Sequence, residues 1–257
     1  MCRLKNSVII LILVMLVSGS CKRLSRKDLS LTAKEYQAKG MPDIKGAWSE
    51  QEYIKVHLTL GSLKIKNFSS LPRKHSKKSG EVFSRIFDKE NLSFLTDSAI
   101  SLYDRAFRIQ SFSNFLSEVS QMYTDNLRSE QYYNEELIDI YIFELFVRTK
   151  MLDLAGKIMN SREKSAISMQ SGTIGVVKGY LNCIFRVLVQ QEKSKVYSRK
   201  DLNRLSREVS GSLIKSLQWF DPANKKEISG YLQKAIEKSS SVQVKNNYRK
   251  VLKVLTD

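Results

Sequence analysis

Few residues in this chain would interrupt a helix. Of its 257 residues, only 3 are proline and 11 are glycine. Proline removes a backbone hydrogen-bond donor and glycine is common where a chain turns sharply, so a sandwich of many short strands needs more of both. Their scarcity favours long helices over a many-turned β-sandwich.

The apolar residues also recur at the spacing of amphipathic helices. From Leu202 to Leu217 they follow one another at steps of three and four, and those from Phe112 to Tyr123 fall on one helical face in the same way. We therefore predict an all-α protein, an irregular bundle of about seven to nine helices. Three residues stand where helix N-caps are expected: Ser49, Ser198 and Asp221.

The stretch from Leu137 to Val147 is apolar on nearly every side and predicts the central buried helix. Its β-branched and aromatic content also permits a buried strand, but the neighbouring segments are helical and favour a helix. Asp139 and Glu144 lie within this stretch. In a buried helix they need charged partners or a route to solvent.

The first 20 residues have the three parts of an export signal. A short positive region with Arg3 and Lys5 precedes ten unbroken apolar residues, Val8 to Val17, and the small residues 18–20 follow. A helix needs roughly 20 apolar residues to span a bilayer, so this run is too short for a permanent transmembrane anchor. Residues 1–20 are predicted to be a cleaved signal peptide.

Cys21 follows these small residues directly and resembles the cysteine of the bacterial lipobox. The resemblance implies cleavage after Ser20, a thioether-linked diacylglycerol on Cys21, and acylation of the new amine by a fatty acid such as palmitate. Two or three acyl chains hold a protein on a membrane, whereas one chain holds it only marginally. The usual lipobox has leucine where this chain has Ser18. The alternatives are an ordinary cleaved signal peptide with an incidental cysteine, and an uncleaved anchor.

The remaining chain is predicted to hold a tether and one domain. Residues 21–48 comprise the lipidated cysteine and a charged tether with one short helix, and residues 49–257 form a single helical domain. With Cys2 in the leader and Cys21 assigned to lipid, Cys183 has no partner for an intrachain disulfide. Its apolar neighbours predict that it is a buried small hydrophobic residue.

Charge is unevenly distributed along a strongly basic chain. The formal net charge is +17. Residues 22–90 carry 16 basic and 8 acidic side chains, residues 91–160 carry 6 and 10, and residues 161–257 carry 19 and 8. A large positive charge favours anionic partners. An acidic centre between two basic ends also predicts that the segments attract one another.

Signals for catalysis are weak. His57 and His75 lack a second histidine at the i+4 spacing of a helical zinc site, and the glycine-rich segment 172–179 lacks the Lys-Ser/Thr pair of a phosphate-binding loop. One acidic cluster has the composition of a metal or glycosidase site, but helical carboxylates are more often solvated or paired with Lys and Arg. We predict no enzymatic activity, no cofactor and no metal. The cluster is Glu135, Glu136, Asp139 and Glu144.

Two basic stripes are the strongest functional signal. On one predicted helix three cations are spaced i, i+4, i+7, and on the last helix three are spaced i, i+4, i+8, so each set falls on one face. Such faces bind sulfated glycans, acidic headgroups or nucleic acid by charge. Export argues against nucleic acid as the physiological ligand, and a solvated polar face is the alternative. The six candidate residues are Lys200, Arg204, Arg207, Lys245, Arg249 and Lys253.

The leader and composition resemble those of the plasmid-encoded surface lipoproteins of the spirochaete Borrelia. The shared features are the loose lipobox Ser18-Gly19-Ser20-Cys21, a charged tether rich in Lys, and a cysteine-poor helical body. The resemblance implies a non-catalytic lipoprotein of the outer membrane, exposed at the cell surface, that binds a host protein or a sulfated glycan. The alternative is a periplasm-facing envelope lipoprotein with a structural or protein-interaction role. No binding motif of that family is found in this sequence, so no functional residue beyond Cys21 carries over from the resemblance. The oligomeric state stays open.

Overall fold

The computed structural model describes residues 28–125, 127–160, 173, 175 and 196–256. Within these residues the chain forms nine α-helices and three short 3-10 turns, with no strand. This confirms the predicted all-α bundle of seven to nine helices. The helices are α1 (Ala33–Gln37), α2 (Glu50–Lys66), α3 (Gly80–Ile86), α4 (Leu102–Thr124), α5 (Leu127–Tyr132), α6 (Asn134–Asn160), α7 (Arg199–Ser216), α8 (Pro222–Lys238) and α9 (Val242–Thr256). The 3-10 turns are Phe68–Ser70, Lys89–Leu95 and Leu217–Trp219.

Side-chain caps begin the helices at the three predicted positions. The Ser49 hydroxyl accepts from the backbone N–H of Glu52, whose carboxylate accepts from the backbone N–H of Ser49 at 2.6 Å, so α2 begins with a reciprocal capping box. The Ser198 side chain likewise accepts from the backbone N–H three residues later and caps α7. Asp221 caps α8 immediately before a proline. These caps satisfy backbone donors that would otherwise lack partners at each helix start.

Helix α6 is the predicted central helix and the longest in the described part of the chain, at 27 residues. Leu137, Ile138 and Ile140 are fully buried within it. It packs against both α4 and α7, so both parts of the bundle bury apolar surface against the same helix. The alternative of a buried strand at this position is wrong.

An aromatic cluster joins α2, α4 and α6. The Tyr53 ring lies with its centroid 5.0 Å from those of both Phe112 and Phe115 on α4. Phe112 in turn meets Phe143 of α6 edge to face, with centroids 6.1 Å apart. Edge-to-face and offset aromatic pairs add specific attraction to the area that they bury. The first part of the bundle is therefore centred on Phe112.

Residues 28–48 contain α1 and pack against the helical body, although the sequence predicts a tether here. Tyr36 is 0% exposed, and its hydroxyl donates to the carbonyl oxygen of Ser70 at 2.6 Å. Trp48 is also buried, with its indole Nε1 donating to the carbonyl oxygen of Asp43 at 2.6 Å. Both polar tips find partners, so the two rings can enter the core without an unsatisfied donor.

The packing extends back to Ser30, which is buried beside the start of α3. The Ser79 hydroxyl donates to the Ser30 hydroxyl at 2.8 Å, and Asp28 accepts from the hydroxyls of Ser30 and Ser76. Burial alone would raise the pKa of Asp28, but these hydrogen bonds stabilise the carboxylate and lower it. Residue 30 is thus already fixed to the body of the protein.

None of the described helices combines the length and the hydropathy needed to cross a lipid bilayer.

Replacing Phe112, which is 0% exposed, tests the aromatic cluster. We expect Phe112→Ala to lower the free energy of unfolding by about 3–5 kcal/mol, because it leaves a cavity among three helices. Phe107→Ala on the same helix, at a residue that is 67% exposed, should change it by less than about 0.5 kcal/mol. Urea denaturation followed by circular dichroism measures both. Equal losses for the two variants would contradict the packing described here.

Candidate functional site

The stripe on α7 is partly neutralised within the protein. The Arg204 guanidinium forms an ion pair with the Asp139 carboxylate of α6. Arg207 has a side chain that is 68% exposed and forms an ion pair with Glu208, Nη2 to Oε1, at 3.0 Å. Lys200 is exposed in the first turn of α7. The helical spacing of the three cations is as predicted, but two of them already face a carboxylate.

Asp139 belongs to a larger group of internal ion pairs. It also pairs with the Lys74 ammonium, so one carboxylate joins the segment before α3 to both α6 and α7. One turn earlier on α6, Glu136 accepts from the backbone N–H of Lys74 at 3.2 Å and from Arg73 Nε at 3.4 Å. The acidic centre of the chain does attract its basic flanks, as the charge distribution predicts.

Glu136 is the most deeply buried member of this group, at 1% exposed. Burial raises its pKa, and the nearby Arg73 cation and the Lys74 N–H only partly offset that effect. The same carboxylate raises the pKa of Arg73 against the opposing effect of burial. Both of these contacts end on Oε1 of Glu136, and its Oε2 is buried without a hydrogen-bond partner among the described residues.

The last helix, α9, presents a different kind of basic face. Val244, Tyr248 and Val251 are buried against the bundle. The opposite side carries the cations, of which Lys245 is half-buried and the others are exposed. The 15 residues of α9 include no acidic residue. Its four basic side chains are Lys245, Arg249, Lys250 and Lys253.

Helix α8 lies against α9 and extends the same charge. Over residues 222–256 there are eight basic side chains and two acidic ones, Glu227 and Glu237, which gives a net charge of +6. Glu227 accepts a hydrogen bond from the Tyr231 hydroxyl at 2.6 Å. We call the basic side chains of α8 and α9 the C-terminal basic surface. They are Lys225, Lys226, Lys234, Lys238, Lys245, Arg249, Lys250 and Lys253.

Buried polar contacts fix α9 against α7. The Ser241 hydroxyl donates to Asn203 Oδ1 at 2.7 Å, and Asn247 Nδ2 donates to the Ser206 hydroxyl at 2.9 Å. Residue numbers rise together across these pairs, so α7 and α9 run in the same general direction. The two predicted stripes therefore lie on adjacent helices. Lys250, exposed beside Arg249, was missed because it falls outside the i, i+4, i+8 series.

The C-terminal basic surface has the electrostatics of an anion-binding face. Its cations lie on two packed helices, so their positions relative to one another are fixed by the apolar core beneath them. Fields from exposed charges are screened beyond a Debye length of about 8 Å at physiological ionic strength. An anion would therefore be attracted mainly by the cations within about that distance, and the attraction would weaken as salt rises.

Other candidate residues have structural surroundings or lie outside the described residues. Cys21, Cys183 and nearly all of the segment 172–179 fall outside them. His57 lies 3.5 Å from Glu118, Nε2 to Oε2, on the surface, and His75 is exposed. No group of three or more His, Cys, Asp or Glu side chains in the described ranges is placed to hold a metal ion.

The carboxylates of the predicted acidic cluster do not form one site, because they pair with different basic residues. Glu136 and Asp139 are engaged as described, and Glu144 is buried with its Oε2 3.7 Å from Nη1 of Arg148. Arg148 also donates from Nη2 to the Ser117 hydroxyl of α4 at 2.8 Å. Of these three carboxylates, only Asp139 joins two of the described helices directly, through Arg204 of α7, whereas Glu136 binds the segment before α3 and Glu144 lies beside a residue of its own helix.

Comparison with known protein families, with curated proteins and with solved structures finds no match to this chain.

Removing the Asp139 carboxylate tests whether the α7 stripe is committed to the fold. We expect Asp139→Asn to lower the free energy of unfolding by about 1.5–3 kcal/mol, because two cations lose a charged hydrogen-bonding partner. Glu208→Gln, which removes the exposed partner of Arg207, should cost only about 0.2–1 kcal/mol. Chemical denaturation at low and moderate salt compares them. If the Asp139→Asn protein were as stable as the parent, the ion pair between Arg204 and Asp139 would not contribute to the stability of the fold.

Proposed function

We propose that this protein is a lipid-anchored bacterial envelope protein, displayed on the outer membrane surface, that binds an anionic host macromolecule without catalysis. The ligand class that fits best is a sulfated glycan. The observation that carries the proposal is the charge of α9, which has four basic side chains and no acidic one on a helix fixed to the bundle.

The contrast between α7 and α9 supports this assignment. On α7, Arg204 and Arg207 each have a carboxylate partner. On α9, Arg249 instead donates to the neutral Asn246, with Nη1 3.3 Å from Oδ1. None of the carboxylates that the structure describes forms an ion pair with Arg249, so a sulfate can bind it without first breaking one of those pairs. The binding face is therefore assigned to α9 and its neighbour α8.

A linear sulfated glycan suits a surface of this shape. Successive cations on one helical face are about 6 Å apart at i, i+4 spacing, since each residue advances about 1.5 Å along the axis. An extended polyanion can meet several of them at once. Arg249 can hold a sulfate through two parallel N–H donors, and the lysines act as point charges.

The test uses immobilised heparin and two triple variants that lose the same net charge. Arg249→Gln/Lys250→Gln/Lys253→Gln removes three exposed cations of the C-terminal basic surface. The matched control removes three exposed cations of the other half of the bundle: Lys45→Gln/Lys55→Gln/Lys66→Gln. Affinity is measured over a salt series for each protein.

We expect the parent and the control to bind heparin with a steep salt dependence. In the α9 variant the slope of log affinity against log salt should fall by about two to three, near one for each cation removed from the binding face. If heparin affinity fell equally in the two variants, binding would depend on net charge alone. That result would contradict a binding face on α8 and α9. Binding that does not change between low and high salt would exclude a charge-driven mode.

The lipid anchor is tested by labelling. Cells given labelled palmitate should incorporate it into the parent protein and into Cys183→Ala, but not into Cys21→Ala, because the thioether needs the Cys21 thiol. Label retained in Cys21→Ala would refute the anchor.

Protease shaving of intact cells distinguishes surface display from the periplasm-facing alternative. Loss of the protein before the outer membrane is opened supports surface display. Protection until the membrane is opened supports an envelope lipoprotein that acts on another envelope component.

A further inference from the structure

A groove of about 660 Å³ lies at the second half of α6, between the 3-10 turns Lys89–Leu95 and Leu217–Trp219. This volume is in the range of sites for small organic ligands, about 300–1,000 Å³. Its walls come from three distant parts of the sequence. It shares no residue with the C-terminal basic surface, so it is a separate candidate site.

The apolar part of the groove is held in place from beneath. Leu92 and Leu154 are buried at its base, and the Phe146 ring is half-buried beside them. The indole of Trp219 packs directly on Gly156 of α6, where even a Cβ would overlap the ring. Glycine in a helix interior costs about 1 kcal/mol relative to alanine, and here it makes room for the indole.

A hydrogen bond fixes the other edge of the same indole. Trp219 Nε1 donates to Asp153 Oδ1 at 3.2 Å. With Cη2 and Cζ3 of its six-membered ring against Gly156 and its N–H held, Trp219 presents a wall whose orientation is set before any ligand arrives. Pre-organised walls lower the entropy lost on binding.

Cations surround this aromatic lining. The Nζ atoms of Lys89 and Lys150 lie 4.9 Å and 5.7 Å from the centroid of the Phe146 ring. Lys157 is exposed at the same groove. Among the lining residues that the structure describes, the one carboxylate is Asp153, which also lies 3.9 Å from Lys150, Oδ2 to Nζ. The described lining therefore has three ammonium groups against one engaged carboxylate and a net positive charge.

We propose that this groove binds a small aromatic anion, with a planar apolar body between Phe146 and Trp219 and a carboxylate or sulfonate paired with Lys89 and Lys150. The aromatic lining favours an aromatic body, because aromatic rings attract one another in offset and edge-to-face arrangements. The excess of ammonium groups selects the charge. A planar body also has few rotors to immobilise, so it loses less entropy than an alkyl chain of equal area.

Tryptophan fluorescence can locate the ligand directly. The chain has two tryptophans, Trp48 and Trp219, so Trp48→Phe leaves Trp219 as the single reporter. We expect 2-naphthoate to quench this emission saturably, with a matching dissociation constant by isothermal titration calorimetry. Neutral 2-naphthalenemethanol, which has a similar shape, should bind at least about tenfold more weakly, the equivalent of about 1.4 kcal/mol.

Charge variants complete the test. Lys89→Gln/Lys150→Gln, in the Trp48→Phe background, should weaken 2-naphthoate binding at least about tenfold. Lys77→Gln/Lys78→Gln, at exposed lysines outside the groove, should leave it unchanged. All proteins are first compared by circular dichroism. Equal affinity for the neutral alcohol, full affinity in the Lys89/Lys150 variant, or no quenching of Trp219 at millimolar 2-naphthoate would each overturn the proposal.

Discussion

The structure depends on the burial of α6 between two groups of helices. Because α6 is covered by both α4 and α7, the acidic side chains along it must be neutralised inside the protein. Asp139 is neutralised by Lys74 and Arg204, and Glu144 lies beside Arg148. The ion pair with Asp139 commits Arg204 to the fold. The cations of α9 lie instead on the side of that helix away from its buried residues, such as Val244 and Val251.

Much of the fold follows from local sequence patterns. The burial of Phe112 and Leu205 follows from apolar spacing, and α2 begins at the predicted Ser49, because these features depend on neighbours within one helix. The tertiary contacts of α7 do not. Arg204 has the same spacing as a surface cation, but its partner is 65 residues away. The groove could not be predicted from local sequence either. Gly156 and Trp219 lie far apart in the chain and come into contact only when α6 packs against the turn after α7.

Residues 28–48 show why a charged, irregular segment is hard to interpret from sequence. Their apolar residues have no helical period, so nothing local predicts burial. Tyr36 and Trp48 are buried as isolated residues and not as part of an apolar helical face. The polar group of each side chain donates a hydrogen bond to a backbone carbonyl oxygen. The Ser70 carbonyl that accepts from Tyr36 lies 34 residues away. Such contacts depend on the finished shape of the bundle and not on spacing.

On the proposed lipid anchor at Cys21, the early burial of Ser30 would limit how far the folded domain can stand from the bilayer. Ser30 lies nine positions after Cys21, and an extended chain spans at most about 3.6 Å per residue, or roughly 30 Å. A fully extended tether over all of residues 21–48 would reach about three times as far. A protein held by acyl chains on Cys21 would therefore sit close above the headgroups. Long polymers could approach it from the side, while bulky globular partners would be hindered by the membrane itself.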